Sequence, residues 1–401
     1  MNILSISMAN HDTSFCILSD GKIIINSFEE RFSGIKNDTF LYSGMSVIKN
    51  FHNTYGIDLI VLSNISNHEI DYLHKCFYKY EMNMIECIIS NDVHHLYHAS
   101  SAFYASGFDN AICLVVDGWG VNYSEEQIMN FINDSDSQDN FEGEFSFNES
   151  ATVYHAEYPC KFNTLYKKMF NCVNDSSSNV FLNDLFPQEI FDLTEKSNNF
   201  DINSSYDIGV VYGSLTKHLG WNREDCGKTM GLSSYGEEDL NLPVFMDEHD
   251  WANMNLFHSS TRIVNTINYP QMKHNNDFKK KANIAYKLQK DTERVLLNLI
   301  GKITKNDPEQ KNIVFSGGCA LNICANSKIK EKYPHINFYV DPVANDKCQA
   351  YGAAMYTYYN LTKSMKKNPL NSIYHGRYYH PTILKKEIEL AVSNLDKNQT
   401  K

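Results

Sequence analysis

The sequence has 401 residues, 42% of them hydrophobic and 21% charged, which excludes a disordered chain and leaves room for more than one core. Its formal net charge of −12 comes without a compensating basic cluster, which argues against a phosphate-tracking groove for nucleic acid and makes small molecules the better substrates. There is no run of about eighteen apolar residues, no basic segment before the apolar start of MNILSISMANHD, and no CxxC pair among ten cysteines, so a cytoplasmic protein with reduced thiols is expected.

The first forty residues read as three strands, NILSISM, SFCILSD and KIIINSF, the last two joined by an Asp20-Gly21 hairpin turn. Between the first two, Ala9-Asn10-His11-Asp12-Thr13 is a polar turn that must leave the sheet edge, which exposes His11 and Asp12 to a cleft. Glu29-Glu30-Arg31-Phe32 and then Lys36 form either a solvated helix start or a cation aimed at a phosphate. Residues 41–108 alternate helix-like and strand-like segments, the mark of an α/β lobe. The last of these helices, capped by Asn91 or Asp92, sets His94 and His98 four residues apart on one face, where two imidazoles can hold one metal. Ala111 to Val116 then reads as a buried strand that delivers Asp117, a third candidate ligand, into the turn Asp117-Gly118-Trp119-Gly120. A hairpin-rich start followed by crossovers, twice over, suggests two similar lobes with a cleft between them.

Residues 121–205 are polar, with short strands such as ATVYHAEYP and stretches such as NDSDSQDNFEGE and NDSSSNVFLND that read as surface loops, and are expected to be an insertion carrying acceptor specificity. A helix, YDIGVVYGSLTKHLGW, leads to the segment from Asp225 to Gly236, where three glycines surround Lys228. It is not a P-loop, and a phosphate-cradling loop and a structural turn both fit it. A long amphipathic helix over about 277–305 buries Ala285, Leu288, Leu296 and Leu299. KNIVFSGGCALNICANSKI then presents a strand, the Gly317-Gly318 turn and a helix carrying Asn322, an order that lets backbone approach a nucleotide. HINFYVDP stops at Pro342, Asp346 is read as a second strand-end carboxylate, and QAYGAAMYTYY is a helix that packs closely through Gly352, Ala353 and Ala354.

Taken in order, NHDTSFCILSDGKI with FEERFSGIKND, VHHLYHASSAF, VVDGWG, GKTMGLSSYG, FSGGCALNICAN and NDKCQAYGAA resemble the O-carbamoyltransferases of the nodulation and antibiotic-tailoring type over roughly residues 1–360. The main domain of that family is similar to the threonylcarbamoyl transferase fold. The resemblance implies an α/β, two-lobed actin-like ATPase fold, a duplicated ribonuclease H-like unit with an inter-lobe cleft. The lobes would span 1–108 and 109–365. It also implies His94, His98, Asp117 and Asp346 as metal ligands and His11, steered by Asp12, as the catalytic residue. Lys36, the turn Asp117, Gly118, Trp119 and Gly120, and Gly318 and Asn322 are the implied adenylate contacts, joined by Lys228 and Gly317 as nucleotide-facing candidates. A site of two His and two carboxylates suits Fe(II), with Zn or Mn as substitutes.

The activity implied is transfer of a carbamoyl group from carbamoyl adenylate, made from carbamoyl phosphate and ATP, to a hydroxyl. Two departures stand out. The family's Gly-Asp-x-Gly turn is here Asn345-Asp346-Lys347-Cys348, with the carboxylate retained. Residues 366–401 look like the linker and first helix of an adenylate-forming domain whose remainder is absent, so a separate domain is expected to supply the adenylate. Threonylcarbamoyl transfer to tRNA and a catalytically silent nucleotide-binding subunit are the rival readings. A homodimer is a further expected partner arrangement.

Overall fold

The structure is a computed structural model that describes residues 1–8, 12–82, 85–90, 93–124, 146–171, 200–203, 207–247, 252–253, 256, 264, 266–373 and 381–399. Its first sheet has the order β3-β2-β1-β4-β5, from β1 (Asn2–Ser7), β2 (Ser14–Ser19), β3 (Lys22–Phe28), β4 (Leu59–Ser63) and β5 (Glu86–Ser90). Antiparallel pairing runs from Asn2↔Ser19 to Ser7↔Ser14, and β4 and β5 add parallel to β1. The hairpin turn is the one the Asp-Gly pair demands, with Asp20 and Gly21 at φ of 47° and 74°. A short helix α1 (Glu30–Ser33) follows β3, and α2 (Met45–Tyr55) and α3 (Asn67–Lys79) serve as crossovers. Ile48, Phe51, Leu73 and Phe77 from α2 and α3 pack with Leu4, Ile6 and Ile17 from the sheet.

The second sheet repeats that plan. It comprises β6 (Asn110–Val116), β7 (Asn122–Ser124), β8 (Ser146–Glu157), β9 (Lys161–Asn171), β10 (Phe200–Asn203), β11 (Asn312–Ser316) and β12 (Asn337–Val340). Its order is β10-β9-β8-β6-β11-β12, with β7 paired to β8. Strands β8 and β9 run antiparallel from β6, while β11 and β12 run parallel to it, as β2, β3, β4 and β5 do from β1. The molecule is therefore the duplicated, two-lobed actin-like α/β architecture. The stretch 121–205 is not wholly an insertion: residues 146–171 are the central hairpin of this sheet, in register from Asn110↔Glu157 to Val116↔Ala151. The short strand ATVYHAEYP lies in it, and β8 is buried on both faces from Phe147 to Tyr154, so a core strand with Asn148, Glu149, Ser150 and Thr152 in it reads as polar surface. The two Asn/Ser-rich stretches quoted for that insertion lie outside the described residues.

Further helices are α4 (His94–Ser106), α5 (Ile208–His218), α6 (Cys226–Ser233), α7 (Phe278–Asn306), α8 (Ile323–Lys332), α9 (Gln349–Thr362) and α10 (Pro381–Gln399). Asp277 caps α7 by accepting from Lys280 N–H, and Ala285, Leu288, Leu296 and Leu299 are buried as expected. Helices α4 and α9 decide the site. Helix α4 follows the first sheet in the chain but packs on β6, β8 and β11 of the second, whereas α9 follows the second and packs on β1, β2 and β4 of the first. The two helices also pack on each other, so closely that a Cβ on Gly352 would lie 1.9 Å from the Tyr97 carbonyl oxygen.

Contacts divide the chain into two units, residues 1–369 and 370–401. The second contains α10, on which Ile383, Leu384, Ile388 and Val392 are exposed. No helix among the described residues is long and apolar enough to cross a membrane.

Candidate metal centre and cleft

Helix α4 opens at His94, with Val93 at its N-cap and no side-chain cap. Residues 91 and 92, expected to cap it, lie outside the described residues. One helical turn stacks His94 and His98, whose Nε2 atoms are 3.2 Å apart. Asp117, just past β6, places Oδ2 3.2 Å from His94 Nε2 and 3.7 Å from His98 Nε2, while its Oδ1 accepts the Gly318 N–H at 2.8 Å. Asp346 Oδ1 completes the group at 3.4 Å from His94 Nε2 and 3.3 Å from His98 Nε2. Asp346 is not a strand-end residue. Strand β12 stops at Val340 before Pro342, and Asp346 sits in a 3-10 turn that opens α9.

One ligand atom from each of the four residues lies within 4.8 Å of the others. Ligands about 2.1 Å from a common ion stand roughly 3.0–3.5 Å from one another, so the spacings of 3.2 to 3.7 Å that involve the two histidines suit a cation, and the two carboxylates, which stand wider, would close on it. The electrostatics agree. Burial disfavours charge on His94, yet Asp346 and Asp117 raise its pKa to about 9. His98 is raised too: burial opposes the charge, and Cys348, Asp117 and Asp346 outweigh it. Against the same burial, the imidazoles hold both carboxylates below the usual range. A buried site that draws protons onto imidazole at neutral pH is one that attracts positive charge.

The histidine between them was not singled out by the sequence reading. His95 is fully buried, with Nδ1 2.8 Å from Thr152 Oγ1 and 3.8 Å from Glu149 Oε2. Glu149 pairs with buried Lys167, takes the Tyr123 hydroxyl and holds the Val121 N–H, which braces the Asp117-Gly120 turn. A Cβ on Gly120 would meet Glu149 Cβ at 2.6 Å and His95 Nε2 at 2.7 Å, so that glycine is required by packing. Only the pairing of His95 with His94 in VHHLYH could have hinted at this network, because Glu149 reaches it through the β6–β8 register.

Asp117 and Asp346 open onto a cleft of about 540 Å³, whose walls include Asp12, Lys36, Trp119, Arg223, Gly227 and Asn322. Lys36 reaches the rim and bonds Asp225 at 2.9 Å, and Asp225 also holds Lys228 at 2.9 Å. Glu29, read as part of a solvated segment, is instead fully buried, because it accepts the Ser43 and Gly44 N–H groups at 2.6 and 2.9 Å. The segment around Lys228 is neither a cradling loop nor a turn. It is α6, whose Gly227 and Gly231 have open space where a Cβ would project.

Gly317, at φ 89°, is demanded by β6, since its Cβ would stand 2.4 Å from the Val116 carbonyl oxygen. Asn322 caps α8 through Ala325 N–H and exchanges two hydrogen bonds with Gln289, so its amide is committed to the fold even where the residue lines the cleft. Gly118 and Gly209 bring two backbones together, and Trp119 is 41% exposed with its ring edge-on to Phe170. His11 lies outside the described residues. Asp12, expected to steer it, has φ 62° and places Oδ1 3.2 Å from Lys347 Nζ, which also binds Glu30 at 3.1 Å.

Residues 78–355 match the family model for the carbamoyltransferase N-terminus. An uncharacterized protein of Methanocaldococcus jannaschii is 31% identical over 190 residues, 45% of this chain and 35% of that one. The nodulation protein NolNO of Sinorhizobium fredii is 24% identical over 180 residues, 42% of this chain and 25% of NolNO. The crystal structure of full-length HypF in its phosphate- and nucleotide-bound form matches with a TM-score of 0.50 at 13% identity, over 90% of this chain and 56% of HypF, a likeness of fold. The chain thus spans between a quarter and a little over half of the length of these proteins.

Proposed function

The chain belongs to the carbamoyltransferase N-terminus family, and from that premise we propose that it moves a carbamoyl group from carbamoyl adenylate to a hydroxyl of a small-molecule, sugar or modified-nucleoside acceptor. The observation that carries this reading is the convergence of His94, His98, Asp117 and Asp346 within 4.8 Å, with both carboxylates opening onto the cleft. Carbamoyl phosphate and ATP would be the sources of the adenylate. A divalent cation held by the four residues, Fe(II) in this reading with Zn or Mn as substitutes, would polarise the mixed anhydride as a Lewis acid.

The chain's own groups have the following parts. Gly318 N–H keeps the Asp117 carboxylate turned toward the imidazoles. Arg223 lines the cleft, and Lys36 and Lys347, held there by Asp225 and by Asp12 and Glu30, would turn to a nucleotide phosphate by exchanging those carboxylates for it. The uncovered face of Gly227 lets the nucleoside lie against α6 backbone. His11 is assigned as the general base that takes the acceptor's proton as its oxygen bonds to the carbamoyl carbon and AMP departs, a role worth roughly 10²–10⁴ in rate. The Asp12–Lys347–Glu30 ion pairs tie the segment that follows His11 to the cleft wall.

The test is mass spectrometry of a panel of hydroxyl acceptors incubated with the chain, isotope-labelled carbamoyl phosphate, ATP and an isolated adenylate-forming domain. A labelled carbamoyl group on an acceptor, lost in His11→Ala, is the expected result. No transfer to any acceptor by a protein that binds metal and nucleotide would refute the proposal.

A further inference from the structure

The two nitrogens of His98 face different surroundings. Nε2 looks into the four-residue cluster, 3.2 Å from His94 Nε2 and 3.3 Å from Asp346 Oδ1. Nδ1 looks away from it, toward Cys348 Sγ at 3.2 Å and Ser316 Oγ at 3.5 Å. Behind Ser316 lies Asp341, 3% exposed and directly after β12. Its Oδ2 accepts the Ser101 hydroxyl at 2.6 Å and the Ser316 hydroxyl at 3.2 Å, and its Oδ1 accepts the Val343 N–H at 2.9 Å. Asp341, Ser101 and Ser316 are not among the residues lining the cleft.

Three donors converge on the Asp341 carboxyl, the Ser101 and Ser316 hydroxyls and the Val343 N–H, so it is held as an acceptor and Ser101 and Ser316 give it their hydrogens. That leaves Ser316 Oγ with lone pairs alone to offer His98, and Nδ1 meets them only by carrying the ring hydrogen. The lone pair is then on Nε2, aimed at the cluster. We propose that Asp341, acting through Ser316, is a positioning residue that sets the tautomer and rotation of His98 and so prepares it as a metal ligand. Ser101 has a separate part: it lies one turn after His98 on α4 and anchors that helix to the same carboxylate. Metal-binding imidazoles generally depend on such a partner at the second nitrogen, and its loss weakens binding by roughly 10- to 100-fold. The inference rests on the metal reading of the cluster.

The experiment uses the full chain, Zn(II) affinity by competition with a chromophoric chelator, and the visible spectrum of the Co(II)-loaded protein. Asp341→Asn is expected to weaken Zn(II) by roughly 10- to 100-fold and to alter the Co(II) spectrum. Ser316→Ala, which spares the bonds from Ser101 and Val343 and removes only the link to His98, should act in the same direction if Asp341→Asn fails to fold. Cys348→Ala should leave affinity within about threefold. Wild-type affinity and spectrum in Ser316→Ala would overturn the proposal. So would a loss in Cys348→Ala without one in Ser316→Ala, which would assign the tautomer to the thiol. The metal reading is tested apart from this by Asp117→Asn: if the wild type takes up no metal, or Asp117→Asn binds as well as wild type, that reading falls and this one with it.

Discussion

Replacing Gly352 by alanine should damage the site although Gly352 is no part of it. The new Cβ would lie 1.9 Å from the Tyr97 carbonyl oxygen and 2.7 Å from its carbon, both backbone atoms one residue before His98. An ordinary carbon-to-oxygen contact is about 3.3 Å, so α4 and α9 must part by about 1.4 Å at their crossing. Overpacking of this kind costs roughly 1–3 kcal/mol, with the upper end expected because neither backbone can rotate away. His94 and His98 ride on α4 and Asp346 opens α9, while metal–ligand distances tolerate only about 0.2 Å of error.

Denaturant unfolding should therefore show a loss near 3 kcal/mol. Metal competition should show at least a tenfold loss of affinity, about 1.4 kcal/mol. Gly301→Ala is the control. Its Cβ would meet only the Tyr333 hydroxyl, at 2.7 Å, at the free end of a side chain. It should be near neutral in both assays. Gly352→Ala with wild-type unfolding midpoint and wild-type metal affinity would refute the claim that this helix crossing sets the ligand geometry.

His98→Ala should abolish bound metal in elemental analysis while the protein stays folded by circular dichroism; full occupancy would contradict the ligand assignment. Gly231→Ala should stabilise α6 by about 0.5–1 kcal/mol in denaturant unfolding, since its Cβ meets nothing, and should leave nucleotide binding alone. Gly227→Val, on the same helix but lining the cleft, should weaken nucleotide affinity at least tenfold by calorimetry, and equal effects of the two variants would count against the assigned surface. Glu149 is buried, which opposes its charge, but His95 and Lys167 pull its pKa from 4.5 to about 2. The stability this contributes is complete above pH 4.5 and is lost as pH falls toward 2. Lys167→Met should therefore cost roughly 3–5 kcal/mol and move acid unfolding to higher pH, and an unchanged pH profile would refute the pairing.

What the sequence by itself determined are features settled within a few residues. The Asp20-Gly21 hairpin and the one-turn spacing of His94 and His98 follow from turn chemistry and helical period, and the structure contains both. The ordered motifs also carried the two-lobed fold, because a strand pattern written twice can close into the same sheet twice. Tertiary structure decided everything that depends on which surfaces meet. Gly318 N–H reaches Asp117 across 201 residues, and Asp346 joins the histidines only because α4 and α9 each pack on the other lobe's sheet.

The same dependence hid Asp341 and Ser316, which look like an ordinary strand-end acid and a strand serine until His98 turns its Nδ1 toward them. It also hid the burial of Glu29, whose partners are backbone N–H groups of a later turn. The glycines show the division most directly. The sequence of α6 suits a cradling loop or a structural turn because glycine is a poor helix former. The Gly352-Ala353-Ala354 run announces close packing, but that the neighbour is the Tyr97 carbonyl on α4 is something no local pattern encodes.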